Sequence, residues 1–238
     1  FEGMLKQTRH ARSKIPEYLS THPPTQDRVV DAKNRINQLK VKNYSDNFEF
    51  HLIRARAIIA INKDPNLSLN LFKNQLNDTG KNKNAAIYGM ALSNMAMKDF
   101  TTSDKLINKL MKISPNELLY KMAQIENYRN QGKYTTAIEK TLSLLKNDTK
   151  SYPLRMSLAE TYLKANRFFD SEKILNSLKN SHPNNPEVWF QLAEVRGLSG
   201  DIPGVHRARA EYFILIGVFD KARDQLMYAR KLLVNDYN

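Results

Sequence analysis

The sequence predicts an all-α solenoid of helical hairpins, on three observations. Gly and Pro are scarce, 8 and 9 among 238 residues, and they fall between long windows with helical apolar spacing. Strand-like alternation is hard to find. The helical windows also repeat every 34 residues. Phe100, Tyr134, Phe168 and Ile202 each close a short turn, in "MKDF", "QGKY", "ANRF" and "SGDI", and the same step backwards reaches Asn66 in "KDPN". Leu76, Leu110, Leu144 and Leu178 keep this register, with Tyr212 as fifth member, as do Ala57, Ala91, Ala159 and Ala193, with Ile125 in the gap.

The elements follow in order. Residues 1–12 have a helical pattern, and residues 13–24 read as a loop because Pro16, Pro23 and Pro24 forbid regular helix. Thr25 can cap a helix to about Leu39, with Val29, Val30, Ala32, Ile36 and Leu39 on its buried side. Five hairpins then start at residues 50, 84, 118, 152 and 186, with Pro115 and Pro183 stopping second helices. The small residue lets the two helices of a hairpin approach closely. The aromatic fills the space near their crossing, and the Leu seals the next hairpin. No hairpin buries its apolar face alone, so stacking makes the core. A last helix over about 219–233 reads as a cap.

Composition bounds the function. Lys+Arg number 37 against 24 Asp+Glu, a net charge of +13, which favours anionic partners or a solvated basic surface. The basic residues are spread over all hairpins and most aromatics fall at packing positions, which argues against a nucleic-acid stripe. There is no cysteine, hence no disulfide or cysteine-based zinc site. The longest apolar runs are too short for a membrane span. No phosphate loop, nucleophile elbow or carboxylate cluster with ligand spacing occurs. Asp99, Asp104, Asp201 and Asp220 read as turn or helix-start residues, and His182 and His206 as turn and surface residues.

The register resembles the tetratricopeptide repeat (TPR), a right-handed helical-hairpin solenoid, most closely in "PEVWFQLAEVRGLSGDI". Lys121 and Arg155 depart from it, standing where an apolar residue is usual. The segment before the hairpins carries Pro16, Leu19, Thr21, His22, Pro23 and Arg28, after a Phe1-x-x-Met4-Leu5 helix. With the late phrase "ARAEYFILIGVFDKARDQLMYA", it is similar to the periplasmic HtpX/CAAX-protease-like zinc metallopeptidases with TPR tails. The resemblance implies that residues 1–44 are the end of an upstream peptidase domain with a linker helix, and residues 45–238 the solenoid with its cap. It implies a zinc cofactor in the parent, held by a His-Glu-x-x-His helix that the five histidines here do not form. The chain by itself is then no peptidase, and Phe1 reads as an internal start. The implied partners are outer-membrane protein clients, the barrel-assembly machinery and the parent's own peptidase domain. A stand-alone TPR adaptor without protease activity is the alternative. His22 has three readings: a structural residue of its loop, a regulator masking the upstream zinc, or an idle residue.

In the TPR family the fifth and ninth positions of each first helix face the concave groove. Here position five holds Arg54, Tyr88, Met122, Met156 and Phe190, and position nine Ile58, Leu92, Glu126, Glu160 and Glu194. The two positions share a helix face. The expected groove therefore sets a Met, Met, Phe row beside three glutamates, which either receive a protein partner or merely pair with neighbouring cations such as Arg129.

Overall fold

The computed structural model describes residues 47–235 except 78–81, together with residues 30, 31, 33–35 and 38. Two compact units divide between Asp46 and Asn47. In the first, the few described residues are helical and Val30 is exposed rather than buried as its pattern suggested; Val29, Ala32, Ile36 and Leu39 lie outside the described residues.

The second unit is helical, without a strand among its described residues. Its helices are α1 (Phe48–Ile61), α2 (Pro65–Leu76), α3 (Lys83–Ala96), α4 (Phe100–Ile113), α5 (Leu118–Asn130), α6 (Tyr134–Leu145), α7 (Tyr152–Lys164), α8 (Phe168–Ser181), α9 (Pro186–Ser199), α10 (Ile202–Leu215) and α11 (Phe219–Asn235). Each helix except α1 packs chiefly on its chain neighbours, and successive odd-numbered helices from α1 to α9 also touch. This is the connectivity of stacked hairpins.

Local chemistry sets the boundaries. Asn47, Asp64, Asn82, Asp99, Asn185 and Asp201 each accept a backbone N–H from the first turn of the helix they precede, satisfying donors that a helix start leaves open. Asp99 and Asp201 thus cap as read from the sequence, whereas Asp104 lies inside α4 and accepts from Asn108 Nδ2. Helices α4, α6, α8 and α10 begin at Phe100, Tyr134, Phe168 and Ile202, the four turn-closing residues of the repeat. In the first hairpin the second helix begins at Pro65 and not Asn66, because Asp64 caps there and proline suits a first helical position.

The turn inside four hairpins is one structure. Lys98, Gly132, Asn166 and Gly200 stand at equivalent positions with φ of 64°, 76°, 58° and 89°. The next residue's N–H reaches back to a carbonyl of the last helical turn: Asp99 to Asn94, Lys133 to Tyr128, Arg167 to Tyr162 and Asp201 to Arg196, at 2.8–3.0 Å. A left-handed residue followed by this bond is the usual way to stop a helix and satisfy its last carbonyls. In the first hairpin the equivalent residue, Asp64, has φ −104°. There α1 packs mainly on α3 and barely touches α2.

Burial follows the register. Ala91, Ile125, Ala159 and Ala193 are all buried, as are Leu110 and Leu178 of the leucine row. A further row went unread in the sequence: Leu52, Ala86, Tyr120, Leu154, Val188 and Ala222 are also 34 residues apart and all buried. Its mixed residue sizes hid it. Ala57 departs, being exposed, because α1 is not held against α2. Close approach is also fixed at Gly89, where an added Cβ would strike the Phe72 ring.

Ala159 is 1% exposed, and its carbonyl accepts from Ser171 Oγ at 2.8 Å, so α7 and α8 touch there backbone to side chain. Ala159→Leu is expected to lower stability by roughly 1–3 kcal/mol through overpacking, read as a shift in the denaturant midpoint. An unchanged midpoint would contradict this crossing.

Candidate functional site

On the first helices of the third and fourth hairpins, Met122, Glu126, Met156 and Glu160 come together in one hollow of about 390 Å³. Arg56, Arg129, Tyr152, Pro153, Glu187 and Gln191 complete its lining. A second hollow of about 430 Å³ shares Arg56 and Glu126, and includes Leu92, Met95 and Asn130. Two thioethers and a ring share the lining of the first with charged side chains.

The remaining expected groove residues fall elsewhere. Tyr88 is fully buried, its ring 5.6 Å from Tyr120. Its hydroxyl accepts from Arg56 Nε at 2.7 Å and donates to the Leu119 carbonyl at 3.3 Å. Burial pushes its pKa up to about 12, so it stays a protonated donor. Arg54 and Ile58 line a small crevice beside Phe72 and Gln75. The first hairpin instead contributes Arg56, two residues on from Arg54, because α1 is packed differently from the other first helices. Phe190 is half-exposed and stacks on Tyr212 at 5.6 Å; Glu194 is exposed. Neither lines the hollow, where Glu187 and Gln191 represent α9.

Two of the three glutamates are paired. Arg56 Nη1 meets Glu126 Oε2 at 3.1 Å, reaching from the first hairpin to the third. Arg129 Nη2 meets Glu160 Oε2 at 3.0 Å, and its Nη1 donates to Ser157 Oγ at 3.2 Å. Glu194 has no ion-pair partner among the described residues. The row is therefore not a free acidic ladder, yet it keeps an acidic surplus. Burial raises the Glu160 pKa above the ordinary glutamate value; Arg129 pulls it back, while Glu126 and Glu194 push it up again. The arginines were the unread part of the site. Arg56 and Arg129 occupy different positions in their hairpins, so no periodic signal marks them.

No group of three His, Asp or Glu side chains suited to a metal ion occurs among the described residues. His182 lies against Tyr152 and the Ser181 hydroxyl, and His206 against Gln225 and Tyr228. These residues do not fit a zinc site. His22 lies outside the described residues. Among the described residues no helix is long and apolar enough to cross a membrane.

The profile of the tetratricopeptide repeat family matches residues 128–194. The chain is 29% identical over 225 residues to the β-barrel assembly-enhancing protease of Escherichia coli K12, covering 93% of this chain and 45% of that protein. Against the protein of the same name from Yersinia pestis it is 26% identical over 222 residues, covering 93% and 46%. The chain thus spans about half the length of the curated relatives it matches. A crystal structure of a tetratricopeptide repeat protein from Parabacteroides merdae aligns with 86% of this chain and 84% of its own, at a TM-score of 0.51 and 15% identity. With the positive-φ turns and buried rows above, these likenesses give the described helices the fold of a tetratricopeptide-repeat solenoid, in a chain similar along 93% of its length to part of the β-barrel assembly-enhancing proteases.

Proposed function

We propose that this chain is the protein-interaction part of a periplasmic zinc metallopeptidase that serves outer-membrane β-barrel assembly or quality control. Its hollow takes a segment of a client or of the assembly machinery. The observation that carries this reading is the joining of Met122 and Met156 with Glu126 and Glu160 in one lining. Methionines adapt to varied apolar side chains, and surplus carboxylates favour a segment that brings cations or backbone N–H groups. The residues upstream, 1–44, would then end the peptidase domain. The zinc and its chemistry would belong to that domain and not to the solenoid.

The test is photo-crosslinking in cell envelopes, in the full-length protein. A probe at Gln191, in the lining, is expected to capture a β-barrel polypeptide or a barrel-assembly component; a probe at Lys112, outside it, is not. Capture from both positions alike, or of the protein's own peptidase domain alone, would defeat the reading. A pH dependence follows. The Glu160 pKa is raised, so lowering pH protonates this carboxyl first and removes a charge the partner's cation would meet. Capture should weaken on mild acidification.

A further inference from the structure

The second hollow, of about 430 Å³, adjoins the first through Arg56 and Glu126, which line both. The rest of its lining differs in kind. Helix α3 contributes Leu92, Met95 and Ala96, and α1 contributes Ile59 and Ala60. One period later the equivalents of Leu92, Met95 and Ala96 are Glu126, Arg129 and Asn130, so the lining turns from apolar to polar between the second and third hairpins. Ile59 and Ala60 stand one turn beyond Arg56 and share its side of α1. The two charges of this lining answer each other. Arg56 Nη1 meets Glu126 Oε2 at 3.1 Å, while Arg56 Nε donates to the Tyr88 hydroxyl at 2.7 Å. Ala60 and Ala96 are exposed and Ile59 is half-buried, so apolar surface remains open to a guest.

We propose that the second hollow takes an aromatic side chain of the same extended partner segment that brings a cation to the first. The inference rests on the reading of the first hollow as a binding site, and it adds a sequence requirement to that segment. Charge selects the guest. A charged side chain would leave water for a lining whose only ions are already paired with each other, which is costly. An apolar side chain gains by leaving water. The lining favours a ring over an aliphatic group, because Met95 offers a thioether and sulfur–ring contacts are favourable. Continuity sets the spacing. Arg56 and Glu126 belong to both linings, so one segment reaches both hollows by passing this ion pair. An extended chain advances about 3.3 Å per residue, so a few residues separate the cation from the ring.

The probe is a panel of fluorescent decapeptides. Each carries one lysine and one phenylalanine, separated by about two to five glycine and serine residues. Anisotropy with the full-length protein is expected to show saturable binding, tightest at one spacing. Replacing the phenylalanine of that peptide by serine should weaken it about tenfold or more, as for an interface anchor. Ala60→Phe and Ala96→Phe each place a ring of the protein's own in the hollow. Both alanines are exposed, so the fold tolerates the change, and circular dichroism checks this. Each variant should weaken the phenylalanine peptide by about tenfold and leave the serine peptide unchanged. Absence of saturable binding by any peptide overturns the inference. So does affinity that is indifferent to the phenylalanine, or to both filling variants. The lysine reports separately on the first hollow. If its replacement by serine changes nothing while the phenylalanine and filling effects persist, the cation reading of the first hollow fails and the aromatic site stands.

Discussion

Glu160→Lys is expected to lower the stability of the solenoid by about 3 kcal/mol, a fall in Tm of several degrees for a domain of this size, whereas Glu160→Gln is expected to stay within about 1 kcal/mol of the parent. The cause lies across the pair, in Arg129, whose side chain is 8% exposed. Its guanidinium has one carboxylate at 3.0 Å and one hydroxyl at 3.2 Å. Replacing the carboxylate by a cation leaves a buried charge facing a like one, the costly way to break a pair. The new lysine can turn towards solvent, since Glu160 is 39% exposed, which keeps the loss at the lower end for such pairs.

Glutamine behaves differently, because the charge on Glu160 is itself a burden: burial, Glu126 and Glu194 raise its pKa against the pull of Arg129. The sign follows. A carboxyl whose folded pKa lies above its unfolded value favours the fold as pH falls through that raised pKa, the reverse of an ordinary ion-paired carboxylate. The parent should therefore lose less stability on mild acidification than its ion pair suggests, and Glu160→Gln should remove the difference. Thermal unfolding of the three proteins at neutral and mildly acidic pH separates these cases. A Glu160→Lys protein as stable as the parent would mean that Arg129 has another partner.

What could be read from the sequence follows from what repeats. The turns came out because the residues that close them, Phe100, Tyr134, Phe168 and Ile202, recur in one register, although the left-handed position two residues earlier changes among Lys98, Gly132, Asn166 and Gly200. The alanine row came out for the same reason. Position-by-position indexing also brought Met122, Glu126, Met156 and Glu160 together, since those hairpins share one geometry. It failed where geometry changes. The first hairpin lacks the left-handed turn, and α1 barely touches α2. Arg56 therefore enters the site in place of Arg54, and Tyr88 goes into the core. Pairing was equally illegible: Arg56 and Glu126 are 70 residues apart, and only the curl of the stack brings them within 3.1 Å.

Replacing both methionines of the lining, Met122→Ala with Met156→Ala, is expected to weaken capture of the partner segment by about 30-fold or more, the effect of losing a desolvated interface centre. Both side chains are half-buried at the surface of the hollow, so a docked segment completes their burial, and area removed from water supplies most of the affinity. The charged wall contributes less. Glu126 already holds Arg56 and Glu160 holds Arg129, so a partner cation shares carboxylates instead of meeting free ones. Glu194 is exposed, and an exposed pair contributes about 0–1 kcal/mol. Glu194→Ala should then change affinity less than fivefold while reducing its salt dependence. Phe190→Ala should fall between, because half of its ring is free beyond the hollow and half rests on Tyr212. The measurement is a titration of each variant with the segment identified by crosslinking at Gln191, at two salt concentrations, with helicity and Tm as controls. A double methionine variant that binds as tightly as the parent, beside a Glu194→Ala protein that does not bind, would reverse the order. Charge and not apolar contact would then hold the partner.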